Sequence, residues 1–137
     1  MPRNALFRRT SRLAFVVGLV IAAVLSLIPG AVPVHGHDKT AHLAAYGLLA
    51  IAGSIGFPGS TMRWVLFFGL SVYGGLLEVG QMFVPNRFSS GLDAAANTAG
   101  ALIGISLVAL SARFGWLPEP SPTGPGTEPR VDAPDDR

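Results

Sequence analysis

The stretch Trp64–Val84, WVLFFGLSVYGGLLEVGQMFV, holds a single charged residue, Glu78, and no charged face. A helix apolar all round is buried or lies in lipid. About 20 such residues cross the hydrocarbon core of a bilayer. Arg63 precedes this run and Pro85, which cannot continue a helix, stops it. Three further apolar runs read the same way. One covers about 13–29 and stops at Pro29-Gly30. One covers 39–57 and stops at Pro58-Gly59. The last covers 92–112, before Arg113. The sequence therefore predicts an all-α polytopic membrane bundle of four transmembrane helices over about 13–29, 39–57, 64–84 and 92–112. The first two are at the short end of the spanning range.

Composition agrees. Half of the 137 residues are hydrophobic and 13% are charged, against about 25% charged in soluble domains. The charges cluster in the N-terminal arm, the short loops and the tail. There is no cysteine, which excludes disulfides and thiolate chemistry. The net charge of +2 comes from basic residues that flank apolar segments and form no stripe, so no nucleic-acid partner is expected. Residues 1–12 read as a basic cytoplasmic arm and 13–113 as the membrane domain. Residues 114–137, with Pro118-Glu119-Pro120-Ser121-Pro122, read as a disordered cytoplasmic tail. The start, Arg3, Arg8, Arg9 and Arg12 before an apolar core, also has the pattern of a signal peptide. No small-x-small cleavage site follows, so an uncleaved anchor is the preferred reading.

The positive-inside rule sets the orientation. With both termini inside, the cytoplasmic flanks carry Arg3, Arg8, Arg9, Arg12, Arg63 and Arg113, while the outer loops carry Lys39 and Arg87. Trp64 and Trp116 then fall at the inner interface. The N-in/C-in arrangement also decides where the polar residues go. Asp38, His42 and Tyr46 share a stripe on the second helix, with Lys39 on its flank. Glu78 and Gln81 lie in the last turns of the third helix, Arg87 on the loop after it, and Asp93 and Asn97 at the start of the fourth. All of them come to the outer end.

Ionisable residues inside a membrane span mark functional sites by default. His42, Glu78 and Asp93 are the candidate catalytic acid and base groups, and Asp38, Lys39, Tyr46, Gln81, Arg87 and Asn97 are candidate binding residues. Structural readings stand beside these. Asp38 could cap its helix. Asp93 could favour a helix start through the macrodipole, Asn97 could join helices, and Glu78 with Arg87 could be an ion pair. His35, His37, Asp38 and His42 invite a metal reading, yet they match no ligand motif, and no metal or cofactor is expected. Gly74, Gly75, Gly100 and Gly104 read as packing residues that allow close helix approach.

Asp38-Lys39-x-x-His42-x-x-x-Tyr46, Glu78-x-x-Gln81 and Pro85-x-Arg87-x-x-Ser90-x-x-Asp93-x-x-x-Asn97-x-x-Gly100 together resemble the VanZ-like family. The resemblance runs from about Pro29 to Leu110. It implies a small multi-pass protein of the bacterial cytoplasmic (inner) membrane, acting in the cell envelope, with a role of the glycopeptide (teicoplanin-type) antibiotic resistance kind. The family supplies no established reaction, so the resemblance leaves open whether the chain is an enzyme. Three functions are in view. An outward polar cluster could bind or modify a lipid-linked or cell-wall polar group. The chain could be a small transporter or proton-coupled channel. It could be a non-catalytic membrane adaptor. Membrane lipids are the expected partners, and an oligomer is compatible with the sequence.

Overall fold

The computed structural model describes residues 3–29, 38–85 and 90–115. They form four helices, α1 (Arg3–Leu27), α2 (Asp38–Gly56), α3 (Ser60–Gln81) and α4 (Gly91–Arg113), with no strand among them. α1 starts ten residues earlier than the hydrophobic pattern indicates. Residues 3–12 of the expected basic arm belong to the same helix as the apolar run that follows. Arginine is a good helix former, and no proline or glycine interrupts 3–17. α3 ends three residues early. Beyond Gln81 the chain tightens into i→i+3 bonds, from Met82 N–H to Val79 O, Phe83 N–H to Gly80 O and Val84 N–H to Gln81 O. Helix ends often satisfy their last carbonyls this way.

Cross-helix pairs fix the topology of the bundle. Arg12 meets Gly56 and Gly18 meets Leu49, so α1 and α2 are antiparallel. Tyr73 of α3 donates to Leu19 O at 2.6 Å, and Gly80 meets Leu27, so α1 and α3 are parallel. Leu43 lies on Gly100 and Gly47 on Gly104, so α2 and α4 are parallel. The chain therefore runs up, down, up, down. α1 and α4 do not touch each other, whereas α2 packs on all three other helices.

Glycines carry the α2–α4 contact, the most extensive in the bundle. A Cβ on Gly100 would strike the Leu43 carbonyl oxygen, and one on Gly104 would strike the Gly47 carbonyl and lie 2.9 Å from Ala50 Cβ. Small residues let two backbones approach, which is a main packing device in lipid. The expected role of Gly100 and Gly104 is thus observed. Gly74 makes room for the Asn97 amide and the Tyr46 ring, whereas Gly75 has nothing within 4 Å. Adjacent helical residues point about 100° apart, so only one of that pair can face the bundle.

At the opposite end, Arg12 Nε donates to Gly56 O at 2.7 Å, and its guanidinium lies 5.0 Å from the Phe57 ring centroid. The cation satisfies a carbonyl left open at the end of α2 and sits at the negative end of the helix dipole. Arg113 occupies the last turn of α4 in the same sense.

The core is small: Tyr46, Leu49, Ala50, Leu70 and Ala101, with Phe15, Leu19 and Ile105 against it. Large apolar side chains cover the outside instead, such as Leu13, Leu76 and Leu102, each more than half exposed. A water-soluble surface rarely carries so much contiguous apolar area. Three helices are long and apolar enough to cross a membrane: Asn4–Leu27, Ser60–Gln81 and Gly91–Arg113, of 24, 22 and 23 residues. At 1.5 Å per residue they reach ~33–36 Å, against a ~30 Å hydrocarbon core. α2 has 19 residues and opens with Asp38 and Lys39, which lowers its apolarity.

Candidate functional site

The alternating topology brings the start of α2, the end of α3 and the start of α4 to one end of the bundle. Each contributes a polar side chain there. His42 lies one turn into α2, Glu78 one turn before the end of α3, and Asp93 in the first turn of α4. One ligand-type atom from each lies within 4.8 Å of the others. Glu78 and Asp93 are each only 5% exposed.

Asn97, one turn beyond Asp93, is 1% exposed. His42 Nδ1–H donates to Asn97 Oδ1 at 3.0 Å and lies 4.0 Å from Glu78 Oε1. Glu78 Oε2 accepts from the Ser90 backbone N–H at 3.3 Å. Ser90 in turn caps α4, its hydroxyl accepting from Leu92 N–H at 3.2 Å. The turn that starts α4 is therefore tied to α3 through one carboxylate. Asp93 Oδ1 is buried and has no hydrogen-bond partner among the described residues. A buried carboxylate oxygen left unpaired is costly, and few survive without a reason.

Tyr46 is one turn below His42 on α2, 3% exposed, and its hydroxyl likewise has no partner among the described residues. Its ring is 6.5 Å from that of Tyr73. Gln81 is buried beside this end of α3, 4% exposed, and Lys39 is exposed. Directly below Tyr46 lies an apolar cluster of Leu49, Ala50, Leu70 and Ala101.

The fold thus gathers His42, Glu78, Asp93 and Asn97, with Tyr46 beneath them. Lys39 stays at the surface. Arg87, His35, His37, Trp116 and the side chain of Asp38 lie outside the described residues, as does the expected tail from residue 116 onward. One contributor escaped sequence reasoning and one was read only in part. The Ser90 backbone amide carries no side-chain signal. Gly74 was legible only as a small residue, and its partner across the interface, Asn97, depends on how the helices rotate. Ser54, 2% exposed and with no partner for its hydroxyl among the described residues, is a further buried polar group toward the arginine-bearing end. The apolar run around it hid it.

No protein-family model, no characterised protein and no solved structure matches this chain. The resemblance to the VanZ-like family therefore rests on the polar residues and their spacing alone.

Proposed function

We propose that the chain is a VanZ-like protein of the bacterial cytoplasmic membrane, with all four helices spanning it and both termini inside. Its outward polar cluster binds, and in the fuller reading modifies, a polar group on a lipid-linked or cell-wall molecule. The observation that carries this reading is the meeting of His42, Glu78 and Asp93, from three helices, within 4.8 Å at the end of the bundle away from Arg12, Arg63 and Arg113. His42, Glu78 and Asp93 are the acid and base groups. Lys39, exposed beside the cluster, and Arg87, on the loop between Glu78 and Asp93, are the cations that would hold a phosphate or carboxylate.

Two observations favour this over the alternatives. A transporter needs polar groups through the membrane, and beneath Tyr46 the buried core is Leu49, Ala50, Leu70 and Ala101, with Ser54 as the one further buried polar side chain of α2 toward the other end among the described residues. A purely structural cluster would be fully paired, and Asp93 Oδ1 and the Tyr46 hydroxyl have no hydrogen-bond partner among the described residues. The test is deletion in a bacterial host that carries the chain, with profiling of envelope lipids and of glycopeptide sensitivity. Wild type should restore the profile, and Glu78→Gln and Asp93→Asn should fail to do so while still inserting. Full restoration by both variants would remove this function.

A further inference from the structure

We propose that His42, Glu78 and Asp93 form a binding site for one divalent transition-metal cation of the Zn2+ or Mn2+ class. This deepens the reading of the cluster as a binding site and rests on it. One imidazole and two carboxylates are a ligand set suited to such ions, and three protein ligands leave a position open for water or substrate. Mg2+ and Ca2+ fit less well, because they favour all-oxygen shells. Copper(I) would want thiolate or thioether sulfur, and none of these three donors carries sulfur.

The donors come from three helices fixed by glycine-mediated packing, so the site is built into the fold. Their atoms lie within 4.8 Å of one another. Ligands on one zinc stand roughly 3.3 Å apart, so modest side-chain rotation closes the set. His42 Nδ1 faces Asn97 Oδ1 at 3.0 Å and Glu78 Oε1 at 4.0 Å. A cation seated there would displace the Nδ1 proton, as metal binding commonly does.

Two observations independent of the spacing support a bound cation. Asp93, 95% buried by its 5% exposure, has no partner for Oδ1 among the described residues. Tyr46, equally enclosed one turn below, has none for its hydroxyl among them. A dication would answer the Asp93 carboxylate directly, and a metal-bound water could reach the phenol. In the envelope reading, the same cation would polarise a phosphoryl or carbonyl oxygen of the ligand.

The test uses the full chain in lipid nanodiscs, stripped with chelator and titrated with Zn2+, Mn2+ and Mg2+. One Zn2+ or Mn2+ per chain should bind, with Mg2+ much weaker. Asp93→Asn and Glu78→Gln should each weaken binding by at least about 100-fold, beyond the 10–100-fold typical of outer partners. Co2+ titrated into the wild type supplies a check that needs no variant, since its visible bands report nitrogen and carboxylate ligation. Absence of stoichiometric uptake overturns the proposal, as does uptake that survives Asp93→Asn. No uptake combined with destabilisation by Arg87→Ala overturns it in favour of an ion pair. If metal does not bind while Glu78→Gln still abolishes complementation, the cation falls and the envelope function stands. If metal binds and both variants complement fully, the cation stands and the envelope function falls.

Discussion

Glu78 is the residue on which the site turns. One oxygen accepts from the Ser90 backbone across the α3–α4 connection, and the other faces His42. Removing one member of a buried charged set leaves the rest uncompensated, at ~3–5 kcal/mol. Glu78→Ala should therefore lower the midpoint of thermal unfolding in detergent far more than Lys39→Ala, whose parent side chain is exposed. Equal effects from the two would show that Glu78 is not buried as described. Tyr73→Phe is a milder probe. It deletes the 2.6 Å bond to Leu19 O and should cost about 0.5–1.5 kcal/mol in the same assay. Sequence reading reached His42, Glu78, Asp93 and Asn97 because charged and amide groups stand out in apolar runs. It missed the Tyr73 bond to α1, because the acceptor is a backbone carbonyl and nothing in Leu19 announces it.

At the scale of elements, the α2–α4 contact and the α2 terminus set the geometry of the site. Gly100 faces the Leu43 carbonyl, so a methyl group must push the two backbones apart. Gly100→Ala should destabilise by roughly 1–3 kcal/mol or more, whereas Gly75→Ala, which meets open space, should be close to neutral. A shift in thermal midpoint for Gly75→Ala as large as for Gly100→Ala would contradict the packing. Arg12 closes the other end of α2 through Gly56 O and the Phe57 ring. Arg12→Lys keeps the charge but loses the planar guanidinium, so it should recover only part of the stability lost in Arg12→Ala. The helices themselves were legible from length, apolarity and the Pro-Gly stops. Their ends were less so. A basic start to α1 looks like an arm when only hydrophobicity is read, and i→i+3 bonds after Gln81 leave no composition signal.

For the whole molecule, alternation of four helices places the polar cluster at one end and Arg12, Arg63 and Arg113 toward the other. Cysteine labelling tests the proposed orientation. Ser89→Cys, which spares the Ser90 cap, should react with an impermeant reagent from outside, and Ser60→Cys should be protected. The reverse pattern would invert the topology. Which end of α2 is polar and which groups gather there were legible, but the atom-to-atom contacts were not, since the rotation of each helix depends on small residues such as Gly47 and Gly104 meeting across the bundle.

The claim that these helices build one site is tested most directly by a double-mutant cycle on His42 and Asp93, read as unfolding free energy in nanodiscs. Residues in one network couple by about 0.5–3 kcal/mol, whereas distant residues add within roughly 0.3–0.5 kcal/mol. The expected result is that His42→Ala with Asp93→Ala departs from the sum of the single changes by at least ~1 kcal/mol. Simple additivity would contradict the account, because it would mean that residues from α2 and α4 do not share a site.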